Sequence, residues 1–273
     1  FFRFYRADYL ALPGLDYSER SWMHRFAAKD LATRAGEERV FFTVNNARMI
    51  APLSRLCARR VFLMPVPKYY GDAPATDNPQ GPAAVYVRLN QRSRDMLHTL
   101  RTVVDDVLKR HPGTRFLVKH SAEAIAPGEA LPADLAGRGV ELVASRQSHA
   151  DHLSTIANCD VVLMPYDKTH YVAAASGIFA EAAAFGKVTV YPDGTWMADQ
   201  VDDGKAAGTG FAEATRADIA AALNRAIDDL PALRAKAQAN SQAFRDHHSC
   251  ARNLDLMLEL LRTDWDMAAP YRL

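Results

Sequence analysis

The sequence predicts an α/β protein: a doubly wound, Rossmann-like parallel sheet preceded by part of a second α/β domain. Three observations carry this. Short apolar runs recur along the chain with helix-period stretches between them, the pattern of parallel strands covered by helices on both faces. A tract holding Gly71, Pro74, Pro79, Gly81 and Pro82 divides those runs into two groups, because it continues neither helix nor strand. The chain has 273 residues, 49% of them hydrophobic, which is room for roughly two domains with cores of their own.

Ahead of the tract, Trp22, Phe26, Leu31 and Ala32 space a helix from Tyr17 to about Ala35, and Val40–Val44 reads as a buried strand. A second helix is expected from about Ala47 to Ala58 and a strand over Val61–Met64. Residues 1–68 read as the last units of an α/β domain and 69–82 as a linker. The chain begins without Met in what reads as the end of a strand, and is expected to be a piece of a longer protein.

Beyond the tract, strands are expected at Ala84–Val87, Phe116–Val118, Val140–Val143, Val161–Met164 and Val188–Tyr191. The helix Met96–Leu108 carries Leu97, Leu100, Val103, Val104, Val107 and Leu108 on one stripe, as a helix lying on a sheet should. Residues 83–247 form this second domain. The last part, Ala217–Ile227, Ala232–Phe244 and Leu254–Leu261, is helical by period, and the final helix (within 248–273) offers the stripe Leu254, Met257, Leu258 and Leu261 for packing.

Composition excludes several functions. A formal net charge of +1, with Lys and Arg interleaved among Asp and Glu, gives no long-range attraction for nucleic acid. Cys57, Cys159 and Cys250 are odd in number and widely spaced, which argues for buried thiols in a reducing compartment rather than a disulfide framework. No apolar run approaches the ~20 residues of a membrane span, so a cytoplasmic protein is expected, with peripheral association at the inner membrane face left open.

The most informative stretch is Ser176–Lys187 followed by Val188–Tyr191: a small-residue turn, a helix start, an acidic residue one turn in, a Gly that ends the helix, and a buried strand. Unpaired amides and partial positive charge at a helix N-terminus make a seat for phosphate. Glu181, on the rim of that seat, repels phosphate but can accept hydrogen bonds from sugar hydroxyls. Phosphate and sugar hydroxyls together indicate a nucleotide or nucleotide-sugar. In parallel sheets ligands bind beyond the carboxyl ends of the strands, where the turn after Met164 and the pair Lys119–His120 both lie.

Glu181 through Gly186, with Gly194, Asp203-Gly204 and Gly208 downstream, resembles the donor-binding C-terminal half of GT-B glycosyltransferases of the retaining, glycosyltransferase group 1 type. The resemblance implies that Glu181 binds the donor ribose and that amides at Ser176, Gly177, Ile178 and Phe179 hold its diphosphate. It implies an N-terminal acceptor domain, of which residues 1–68 are the remnant, and a last helix returning toward it. The family's first Glu, separated from the second by seven residues, falls at Ala173, a departure that leaves the retaining or inverting outcome open. A family Lys is replaced by Arg94, with Arg88 and Arg92 nearby, while the Arg that accompanies it aligns with Leu89. Lys119 and Lys168 are further cation candidates, and His120 a candidate substrate contact.

The implied activity is transfer of a sugar from a UDP- or GDP-type donor to a glycan or lipid-linked acceptor, as in polysaccharide biosynthesis, with no cofactor and no bound metal. The chain as given is expected to be weakly active or inactive. A nucleotide-sugar epimerase of the same fold and a non-catalytic interaction protein are the alternatives. His149 and His152 share a helix face but lack a third ligand, and a polar first turn capped by Ser148 explains them. His247-His248 reads as a frayed helix end. Gly186-Lys187 lacks the earlier Gly of a P-loop, and Gly204, Gly208 and Gly210 do not follow a strand as a dinucleotide fingerprint would.

Overall fold

The computed structural model describes residues 2–4, 29–33, 41–71, 82–89, 96–120, 139–143 and 146–262. The chain divides into two compact units. One comprises Phe1–Pro67, Thr169–Ser176 and His247–Leu273; the other comprises Lys68–Lys168 and Gly177–Asp246.

The first unit holds three short parallel strands, β1 (Phe2–Phe4), β2 (Phe42–Val44) and β3 (Val61–Leu63), in the order β1-β2-β3. Between β2 and β3, Asn46 caps a 3₁₀ turn by accepting a hydrogen bond from Arg48 N at Oδ1, and helix α1 (Ile50–Cys57) follows. Phe42, Val44, Met49, Leu53, Cys57 and Val61 make a small core. Ala173 belongs to that core and is only 1% exposed. Its segment is tied in by Asn46 Nδ2, which donates to Val172 O at 3.0 Å. Residue 173, where the resemblance would set an acidic contact to the donor sugar, is thus packed among apolar side chains.

The second unit is a six-stranded, wholly parallel sheet in the order β6-β5-β4-β7-β8-β9. Its elements run β4 (Ala84–Leu89), α2 (Met96–Arg110), β5 (Arg115–His120), β6 (Val140–Val143), α3 (His149–Ala157), β7 (Val161–Leu163), α4 (Gly177–Ala184), β8 (Val188–Pro192), α5 (Trp196–Asp202), β9 (Gly208–Phe211), α6 (Arg216–Asp228) and α7 (Leu230–His247). Helices α2 and α6 pack on one face, closing a core with Val85, Val87, Phe116, Val118, Val161 and Val190. Helices α3 and α4 pack against each other, and α4 lies against β8. Strand order reverses between β4 and β7, the switch point beyond whose carboxyl end such sheets bind ligands.

Helix α8 (Cys250–Arg262) belongs to the first unit, where Leu256, Met257 and Leu260 pack on Phe41, Phe62 and Met64. The expected stripe is rotated: Leu254 and Leu261 are exposed, and the buried positions are Asn253, whose Nδ2 donates to Pro65 O, and Leu260. His248 is no frayed end either. It is buried and accepts from Val66 N at Nδ1. Cys57 and Cys159 are buried as expected, but Cys250 is exposed. Among the described residues no helix is long and apolar enough to cross a membrane, and no group of His, Cys, Asp and Glu side chains is placed to hold a metal.

Candidate functional site

Helix α4 begins at Gly177, in the connection from β7 to β8, and is buried at every position from Ile178 to Ala184. The Ala-rich sequence permits this, because small side chains let the helix approach its neighbours on all sides. It ends in a Schellman motif, with Gly186 at φ 63°, Lys187 N donating to Ala182 O and Gly186 N to Ala183 O. Phe179 is fully buried and meets Tyr191, Trp196 and Phe244 edge-on, so its ring anchors the helix. Such anchoring fixes where the Gly177 amide end points.

Glu181 is the one ionisable residue of this helix and is only 4% exposed. A buried carboxylate needs partners, and among the described residues it has Lys68 and His152. Lys68 Nζ donates to Oε1 at 2.7 Å, and His152 Nε2 donates to Oε2 at 3.0 Å. Burial on its own would push the Glu181 carboxyl up, but the His152 hydrogen bond and the Lys68 ammonium outweigh it and hold the carboxyl below its ordinary range. The group is an anion held in a fixed orientation, with lone pairs left over on each oxygen.

Neither partner stood out in the sequence as a site residue. Ser148 does cap α3, its Oγ accepting from Asp151 N at 3.1 Å, and His149 donates to Tyr69 O, as a polar first turn should. His152 departs from that expectation: it turns inward, and its ring lies 6.4 Å from that of Tyr86. The His152 Nδ1 and the Tyr86 hydroxyl are both buried with no hydrogen-bond partner among the described residues. Lys68 was hidden for another reason, standing 113 residues from Glu181 at the edge of the linker tract.

The other candidates divide. Lys119 is buried, and its Nζ donates to Gln147 Oε1 at 2.6 Å. Burial, aided by Arg88, lowers its ammonium from the usual lysine value, against an opposing pull from Glu181. Lys168 points elsewhere, to Ala212 O and the Glu213 carboxylate. Ser176 is buried at the residue ahead of α4. Arg92 and Arg94 lie outside the described residues, as does the His120 side chain; His120 itself ends β5.

This architecture matches solved structures. TarM superposes with a TM-score of 0.64 at 13% identity, over 93% of this chain and 48% of TarM, and an S. aureus TarM mutant in complex with UDP gives 0.62 at 12%, over 91% and 48%. The chain has the fold of GT-B glycosyltransferases. A sucrose-phosphate synthase from Thermosynechococcus elongatus gives 0.60 at 16% identity, over 90% of this chain and 63% of the synthase. WaaG, a glycosyltransferase involved in lipopolysaccharide biosynthesis, gives 0.59 at 16%, over 90% and 68%. The chain thus spans about half the length of TarM. No protein-family model matches the sequence. No curated protein matches it by sequence.

Proposed function

We propose that the protein is a glycosyltransferase that takes a nucleoside diphosphate sugar as donor, bound at the carboxyl edge of the second unit's sheet. The observation that carries this reading is the buried, ionised Glu181 one turn inside the helix that leads from β7 to β8. That pairing suits a ligand with an anionic group at the helix end and hydroxyls beside it. The diphosphate meets the amides of Gly177, Ile178 and Phe179 with Ser176 ahead of them, and the ribose hydroxyls donate to Glu181. Arg92, Arg94 and Lys119 are further donor-side cations, and His120 a contact to substrate. The structure of the S. aureus TarM mutant holds UDP and alpha-GlcNAc-glycerol, which is in keeping with a nucleotide-linked donor and a glycan or lipid-linked acceptor here.

Amides and cations, with no bound metal, stabilise the leaving diphosphate in this reading. Position 173 cannot supply the donor-sugar contact of the retaining enzymes, because Ala173 lies in the first unit's core. The assignment of Glu181 therefore rests on its own geometry and not on the spacing of two acidic residues. A thermal-shift comparison of UDP, GDP and ADP with their nucleosides tests the reading, since a ligand of the folded state raises its melting temperature. A diphosphate is expected to stabilise more than its nucleoside; equal shifts, or none, would overturn it.

A further inference from the structure

We propose that Lys68 is a ligand of the donor diphosphate, held by Glu181 in this structure and drawn to phosphate oxygens when the donor arrives. The inference rests on the reading of the Glu181 site given above. Its basis is where the ammonium stands. Lys68 Nζ is 2.7 Å from Glu181 Oε1, and a Cβ added at Gly177 would lie 3.0 Å from the same Nζ. The cation is thus at the first residue of α4 and at the carboxylate one turn further on. Both lie where opposite demands meet: a phosphate at the helix end and an anion just behind it repel one another. A cation between them removes that conflict, and Lys68 is the described side chain that occupies the place.

A lysine suits an exchange of partners better than an arginine would. Its ammonium is a compact point charge on a flexible stem with three donors, so it can leave a single carboxylate oxygen without breaking a bidentate fork. The Lys68 side chain is 26% exposed whereas that of Glu181 is 6% exposed, so the lysine keeps a path to an arriving ligand. When Lys68 turns to phosphate, Oε1 becomes free to accept a ribose hydroxyl, while His152 goes on holding Oε2. The two events are then coupled: the diphosphate uncovers the acceptor that the ribose needs. The Tyr86 hydroxyl and His152 Nδ1, buried with no hydrogen-bond partner among the described residues, mark the cluster as one whose polar atoms are not all satisfied.

The test is calorimetry on the whole chain and on Lys68→Met and Lys68→Arg, using whichever of UDP, GDP and ADP binds the wild type most tightly, together with its nucleoside. Lys68→Met should weaken the diphosphate by tenfold or more while leaving the nucleoside unchanged or tighter, because Oε1 no longer has a competitor. Lys68→Arg should regain most of the preference for diphosphate. Equal losses for diphosphate and nucleoside would assign Lys68 a purely structural role and overturn the inference, as would an unchanged diphosphate affinity in Lys68→Met. A wild type that binds no diphosphate removes the underlying functional reading and this inference with it.

Discussion

His152 and Glu181, 29 residues apart in the chain, meet at 3.0 Å where α3 packs on α4. The bond fixes more than a distance. For Nε2 to donate to a carboxylate it must carry a proton, and the ring then holds Oε2 while Lys68 holds Oε1, so the carboxylate is fixed from two directions. Removing the imidazole should act on ligand binding through Glu181. In His152→Ala, nucleoside affinity measured by calorimetry should fall about tenfold, and in a double-mutant cycle with Glu181→Ala the two losses should be far from additive.

Glu181→Gln should weaken nucleoside binding modestly and Glu181→Ala more. Gln keeps an acceptor but loses the charge, and a hydrogen bond to a charged group is worth roughly 1.5–3 kcal/mol. Calorimetry on both variants, with folding checked by circular dichroism, reads the order; unchanged affinity in Glu181→Ala would reduce the residue to a buried structural acid.

The pH dependence follows from the same group. Because the folded protein holds the Glu181 carboxyl below its ordinary range, the stability it contributes is complete above the unfolded value of about 4.3. It is lost as pH falls through the lower, folded value. Urea denaturation between pH 7 and pH 3 should show an acid loss of stability that is shallower in Glu181→Gln than in wild type.

Ala173→Glu should unfold the first unit or destabilise it by about 3–5 kcal/mol, since the new carboxylate would enter a core of Phe42, Val44, Met49 and Leu53 without a partner. Denaturation followed by far-ultraviolet circular dichroism reads this. A substitution tolerated within about 0.5 kcal/mol, as at an ordinary surface site, would contradict the packing described.

Gly208→Ala should destabilise the second unit, because an added Cβ would overlap the carbonyl oxygen of Thr189 on the neighbouring strand. A loss of about 1–3 kcal/mol by urea titration is expected for such overpacking.

These cases also mark what the sequence could reveal. The strands β4, β5, β7 and β8 were legible because strands buried on both faces are continuous apolar runs, and α2 because its stripe repeats with helical period. Strand β9, Gly-Thr-Gly-Phe, was not, since the close approach of Thr189 and Asp193 selects glycines that carry no strand signal. The acidic anchor of the site, Glu181, was visible through the turn, the helix and the Gly around it. Its partners were not: Lys68 stands at the edge of a tract whose prolines and glycines read only as a linker, and His152 sits in a first turn whose capping explained its polarity. The last helix was readable as a helix, but its stripe was assigned one position away from the face that is buried, because leucines stand on both sides of it.

The placement of the three thiols equips the wild-type chain with chemical reporters. Burial pushes the Cys57 thiol up to about 11 and the Cys159 thiol up to about 12, and one lies in each unit, whereas Cys250 is open to solvent. An alkylating reagent should therefore modify Cys250 at once and the other two only as their own unit opens, since the reactive species is the thiolate. Peptide mapping over time would then read the opening of the two units separately, with no mutation and no added probe.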